Sequence, residues 1–322
     1  MRHVGSVADP GLRAWIAAVT LALIVGGALP ALAQQPAAQN AGAQQSTLDR
    51  IRAAGEVRLG FRADAGPFSH QDGSGNPAGY SIDLCQRVVA AINAEPGMSS
   101  VTARWVPVTI DDRFDAVEQG RVDLLCGADA QTLARREQVS YSIPIFPGGL
   151  GALLRSDSRS RLRDVLSGEE PSYFPRWRAS ALQLLRTQTF AVVAGTTAEP
   201  WLEGRIAEFG ISTEAVTVGG YDEGVQAVLD RDAAVFFGDR AILLDAAANS
   251  ASADDLIVLD RFFTHEAVAL ALPRGDDDLR LLVDRTLSRF YASGDFGDLY
   301  ARWFGEPNES VYAFFSWVTL PE

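Results

Sequence analysis

Residues 102–126 read TARWVPVTIDDRFDAVEQGRVDLLC, and the fold class turns on them. Residues 102–107 form a short run around Trp105 and Val106 that predicts a strand. Residues 110–118 carry a helical pattern that Gly120 closes, since glycine takes the left-handed turn in which helices commonly stop. Residues 122–126 are again strand-like. The alternation continues in both directions. Upstream, a strand over 56–61 leads through the Asp72–Gly75 turn and residues 78–80 into a helix over 82–93. Downstream, a loop is followed by a helical pattern over 132–138. A second series begins after Pro147-Gly148-Gly149, with strands over 150–154, 190–193, 215–218, 233–237, 256–259 and 267–272 and helices between them. Helices over 276–293 and 295–303 end it. Short strands alternating with helices argue for α/β architecture with parallel sheets. Two such series joined by Gly/Pro-bearing segments give two lobes and a cleft. Residues 167–180, SGEEPSYFPRWRAS, interrupt the pattern, either as a partner contact or as a loop packed down by its own aromatics.

The N-terminus reads as an export signal. Arg2 and Arg13 precede a largely apolar run over 14–29, and Ala31-Leu32-Ala33 supplies the small residues cut after Ala33. No cysteine follows that run, which argues against a lipid anchor. Residues 34–46, rich in Gln and Ala without periodicity, read as a disordered leader. The chain has a formal net charge of −13, so nucleic acid and anionic lipid are poor partners. Its three histidines, one of them in the signal, and the lack of a C-x-x-C leave no metal site and no Ser-His-Asp triad; no cofactor is expected. Cys85 and Cys126 are an even pair in an exported chain, either bridged or buried as free thiols.

Several phrases resemble, in order, the family 3 periplasmic amino-acid-binding proteins. In the first lobe these are Gly55-Glu56-Val57-Arg58-Leu59-Gly60, Gly66-Pro67-Phe68-Ser69, Gly79-Tyr80-Ser81-Ile82-Asp83-Leu84, Gln119-Gly120-Arg121-Val122-Asp123-Leu124 and Thr132-Leu133-Ala134-Arg135. Gly195-Thr196-Thr197, Phe237-Gly238-Asp239 and Tyr300-Ala301-Arg302-Trp303-Phe304-Gly305 follow. The resemblance implies a two-lobed type II periplasmic-binding-protein fold, each lobe a mostly parallel sheet flanked by helices. It places 47–147 plus 267–322 in lobe 1 and 148–266 in lobe 2, with crossings near 146–149 and 264–266. It further implies a monomer that closes on a free amino acid in the periplasm and presents it to an ABC transporter permease.

The chemistry fits. Arg135 lies in the loop after the third strand, where open α/β sheets carry ligand sites, and a guanidinium grips a carboxylate bidentately. The helix opened by Gly195-Thr196-Thr197 offers N–H donors to the same group. Asp239, ending an apolar strand, would accept from the ammonium. By resemblance these are the carboxylate-binding Arg, the second-lobe Thr pair and the amino-binding Asp. Arg62 and Arg113 resemble arginines of glutamate/aspartate-binding members, although Asp64 and Asp111 are near enough to neutralise them. This leans the ligand toward an acidic or polar one. Phe68 and Tyr80 line the cleft or belong to the core. Ala128 and Ala130 stand where many members carry hydroxyls, leaving Asp129, Gln131 or Thr132 to replace them.

Two other functions fit the same fold. A dehydratase like the periplasmic cyclohexadienyl dehydratases would draw acid–base groups from Asp239, His265 and Glu266. A solute-sensing subunit for a small carboxylate would use the cleft unchanged.

Overall fold

A computed structural model describes residues 46–168, 183–213 and 215–322. The export segment, all but the last residue of the leader and most of the 167–180 stretch lie outside the described residues. The described chain opens on α1 (Thr47–Ala54), where the Ser46 hydroxyl accepts from the Asp49 amide and Gly55 closes the helix at a φ of 66°. β1 (Glu56–Arg62) follows. A small hairpin sheet comes next, made of β2 (Asp64–Ala65), β3 (Ser69–Gln71) and β4 (Pro77–Ala78). Gly79, at a φ of 134°, then turns into α2 (Tyr80–Ala94). A side chain at Gly79 would collide with the Phe68 carbonyl, so the position needs glycine.

The unit that decided the fold class is present as β5 (Thr102–Val108), α3 (Arg113–Glu118) and β6 (Leu124–Leu125). β5 and β6 flank β1 in parallel, and the Asp123 and Cys126 amides extend that pairing by donating to the Arg58 and Gly60 carbonyls. The helix begins three residues later than its pattern, because Asp112 accepts from the Thr109 amide at 2.8 Å and holds that segment in a turn. The helical pattern over 132–138 is one 3-10 turn, Arg135–Glu137.

After β7 (Ser140–Tyr141) the chain leaves the first sheet through β8 (Phe146–Gly148). β9 (Leu150–Arg155), α4 (Ser160–Ser167), β10 (Phe190–Val193), α5 (Ala198–Phe209), β11 (Ala215–Val218), α6 (Tyr221–Leu229), β12 (Val235–Asp239), α7 (Arg240–Asn249) and β13 (Leu256–Val258) build the second. Its order is β11-β10-β12-β9-β13, parallel over the first three strands and antiparallel at β9 and β13.

The single strand expected over 267–272 is two. β14 (Glu266–Val268) pairs antiparallel with β8, and β15 (Ala271–Leu272) joins the first sheet between β6 and β7. One strand cannot serve both sheets, because the chain must turn out of the crossing to reach the first. The first sheet then runs β5-β1-β6-β15-β7. Close approach at the crossing requires Gly149, where a side chain would strike the Thr264 carbonyl.

α8 (Asp277–Ser293), α9 (Phe296–Phe304) and α10 (Glu309–Val318) complete the chain. α10 was not read from the sequence. Asn308 caps it, accepting from the Val311 amide, and Phe315 packs 4.7 Å from the Tyr291 ring and 4.6 Å from Phe296, centroid to centroid. Among the described residues no helix is long and apolar enough to cross a membrane.

Candidate ligand-binding site

The site is built on the loop that leaves β6. Its backbone is held from several sides: the Ser81 hydroxyl donates to the Gly127 carbonyl at 2.7 Å, the Gln131 amide to Ala267, and the Ala269 amide to Asp129. Just before it, Cys126 is bonded to Cys85 of α2, with the sulfurs 2.06 Å apart. The loop is therefore tied to the helix behind it and to the strand returning from the crossing.

Arg135 reaches back across this loop. Its Nη1 donates to the Ala130 carbonyl at 2.9 Å and its Nη2 to the Gly195 carbonyl of the other lobe at 3.3 Å, while Phe114 lies beneath the guanidinium. Burial draws this guanidinium below the ordinary arginine value, with the Asp129 charge opposing and the Arg113 charge reinforcing the shift. Among the described residues Arg135 has no carboxylate partner within salt-bridge distance. Thr132 does not line the cleft; its hydroxyl accepts from the Arg135 amide at 3.1 Å and shapes the turn.

Arg113 and Arg62 do line the cleft, and both are buried and paired. Arg113 Nε donates to Asp129 Oδ1 at 2.7 Å, and its Nη2 to the Gly195 carbonyl at 3.2 Å. The partner anticipated from sequence proximity, Asp111, is replaced by Asp129, which the folded loop brings against the helix. Arg62 holds Asp64 bidentately, both contacts at 2.9 Å. Burial disfavours the Arg62 cation, yet the bonded Asp64 outweighs it and holds the group above the ordinary arginine value.

From the second lobe come the Gly195-Thr196-Thr197 turn and the start of α5. Thr196 Oγ1 donates to the Val193 carbonyl at 2.7 Å, and Thr197 Oγ1 to Glu266 Oε2 at 2.6 Å. Glu266 also accepts from the Thr264 hydroxyl at 2.7 Å, so the crossing strand and the α5 N-terminus are joined through one carboxylate. Asp239 is the N-cap of α7, its Oδ1 accepting from the Ala241 and Ile242 amides. Burial pushes the Asp239 carboxyl up to about 7, against these two donors, and the Glu266 charge adds to the rise.

These groups meet around a cavity of about 30 Å³ lined by Arg62, Arg113, Asp129, Arg135, Thr196, Thr197, Asp239 and Glu266, with Tyr221, Ile110, Leu150 and Ile242 among the rest. Of the nine residues expected at the site, seven line it; Thr132 and Phe68 do not. Phe68 is wholly buried in an aromatic cluster, its ring 5.0 Å from that of Phe146 and 5.2 Å from that of Phe304. Tyr80 belongs to the same cluster, its hydroxyl donating to the Ile145 carbonyl. Glu266 and Tyr221 also line the cavity and are not among the residues expected there as binding groups. Glu266 had a signal, an acid inside an apolar strand at a crossing, whereas nothing around Tyr221 distinguished it from a core residue. Among the described residues no cluster could hold a metal ion.

The sequence pattern of the bacterial extracellular solute-binding proteins, family 3, matches residues 57–306. The L-glutamate/L-aspartate-binding protein of Pseudomonas aeruginosa is 28% identical over 262 residues, 81% of this chain and 80% of that protein. A glutamate/aspartate import solute-binding protein of Escherichia coli is 24% identical over the same shares. Among solved structures, the ancestral amino acid-binding protein AncCDT-1, a precursor of cyclohexadienyl dehydratase, is 25% identical with a TM-score of 0.64, over 80% of this chain and 99% of that one. Pattern, relatives and topology agree: the chain belongs to the family 3 bacterial extracellular solute-binding proteins and has their two-lobed type II periplasmic-binding-protein fold.

Proposed function

We propose that this protein captures a free amino acid between its lobes in the periplasm and hands it to an ABC-type permease, after removal of the signal that ends at Ala33. The observation that carries this reading is the position of Arg135. It is a largely desolvated guanidinium on the cleft wall, without a carboxylate partner among the described residues, in a cavity that also holds Asp239 and the α5 N-terminus. An α-amino acid presents a carboxylate and an ammonium a few ångströms apart, and such a set offers a counter-charge to each. The relatives named above bind amino acids, which agrees. We read the protein as a binder, not an enzyme, because the relatives named above are binding proteins.

The boundaries 147/148 and 266/267 divide the lobes in this reading, and the β8–β14 pair is the hinge about which closure occurs. Ligand touching both lobes favours the closed form by its differential affinity for it. A thermal-shift screen of the exported protein against the twenty amino acids tests the proposal. At least one is expected to raise the melting temperature, and the rise is expected to vanish in Arg135→Ala. Stabilisation that persists undiminished in that variant defeats the assignment.

A further inference from the structure

The cleft wall carries three arginines, and two of them are already answered by the protein itself. Arg62 is closed bidentately on Asp64, and Arg113 donates to Asp129 through Nε. What remains among the cleft-lining charges of the described residues is one cation, Arg135, facing two carboxylates, Asp239 and Glu266. An amino acid with a single carboxylate satisfies that remainder: its carboxylate meets Arg135 and its ammonium meets an acid. A second carboxylate on the ligand would find no unpaired cation, and Glu266 or Asp239 would repel it.

It would gain the uncompensated charge of Arg113 by displacing Asp129, and the structure makes that displacement costly. Asp129 is 2% exposed, so a released carboxylate would not reach water. Among the described residues its Oδ2 is buried with no hydrogen-bond partner, and Arg113 is the only side-chain donor holding the group. Its carbonyl accepts from the Ala269 amide at 3.1 Å, which pins the backbone in place. Removing one partner of a buried pair leaves an uncompensated charge, and that penalty is large compared with the worth of most single contacts. Arg113 in turn is 4% exposed and rests on the Phe114 ring, so it cannot swing toward a ligand independently.

We infer that Asp129 is a built-in counter-ion that occupies Arg113 and makes the cleft select an amino acid with one carboxylate over one with two. The inference rests on the amino-acid reading above and sets the ligand class apart from the names of the relatives at 24–28% identity. It also reverses the lean toward an acidic ligand that Arg62 and Arg113 suggest when read without their partners. Specificity obtained by occupying a site against the wrong ligand is discrimination by repulsion as much as by attraction.

The test compares L-glutamine with L-glutamate, which have nearly the same shape and differ by one charge, within a calorimetric panel of the twenty amino acids on the exported protein. Wild type is expected to bind its best monocarboxylate at least about tenfold more tightly than glutamate or aspartate. Asp129→Asn keeps the side-chain shape, removes the counter-charge and frees Arg113. It is expected to move the ratio toward glutamate or aspartate by at least about tenfold. Retained binding of the wild-type ligand by the variant certifies its fold. A wild type that prefers glutamate or aspartate overturns the inference and leaves the amino-acid reading standing. So does an Asp129→Asn variant that folds with an unchanged ratio. A wild type that binds no amino acid fails both.

Discussion

Arg135 and Asp239 face the cleft with different histories. Arg135 keeps its charge because no pH in the working range removes a proton from a guanidinium, even one that burial draws down. Asp239 does not. Its folded carboxyl sits at about 7, above the ordinary value of 3.8, since burial and the Glu266 charge disfavour the anion. The unliganded protein therefore holds a proton there that the unfolded chain has already released. The stability this contributes is fully present below about pH 4 and is lost as pH rises through about 7. A ligand ammonium reverses the balance by favouring the charged carboxylate. Binding near pH 6 is expected to expel a proton, and affinity to fall by up to about tenfold per pH unit below pH 7. Titration calorimetry at pH 6 in two buffers of different protonation enthalpy reads this directly. Equal apparent enthalpies in both buffers would reject it, and Asp239→Asn should lose the buffer dependence.

At the scale of elements, the loop over 127–135 depends on what lies behind it. The Cys85–Cys126 bridge spans 41 residues and joins α2 to the residue that precedes the loop. A closed loop of that length constrains the unfolded chain by roughly 4 kcal/mol. Cys85→Ala with Cys126→Ala is expected to lower stability by about that amount in urea unfolding and to weaken ligand binding, because Gly127 keeps only its Ser81 hydrogen bond to α2. An unchanged unfolding midpoint would count against the argument.

Legibility differs sharply among these elements. β1 was readable from the alternation of Val57, Leu59 and Phe61 with other residues, β10 from its uninterrupted apolar run, and the Gly195 turn announced α5. The crossing was not readable. After Glu266, residues 267–272 are one uninterrupted apolar stretch in sequence, and only the demand of two different sheets divides it. α10 was hidden because its buried positions, Val311 and Phe315, lie in a tail that also carries exposed aromatics, Tyr312 and Trp317, the latter 88% exposed. Of the site, Arg135 could be found from its place after a strand. The pairing of Arg113 with Asp129 could not, because it joins a helix to a loop sixteen positions away through tertiary packing. The counter-ion the sequence offered, Asp111, was closer along the chain and wrong in space.

Among the described residues two five-stranded sheets are connected by β8 and β14, with Glu266 at the connection bonded to Thr197 at the start of α5. Rotation about so narrow a connection would leave the strand pairing within each sheet intact. Small-angle scattering of the exported protein is expected to give a smaller radius of gyration with saturating ligand than without. An identical radius in both conditions would argue that the lobes do not move.

The carbonyl of Gly195 accepts from Arg113 and from Arg135, two donors of one lobe converging on a single acceptor of the other. Such a convergence is a clasp made of the protein's own atoms. If a bound carboxylate draws Arg135 away from it, as the proposed function implies, the strength of capture is a difference between two grips on the same guanidinium. For a reporter built by attaching a fluorophore across the lobes, that clasp sets the dark signal. Loosening its protein half is then a route to contrast that leaves the recognition of the captured molecule alone.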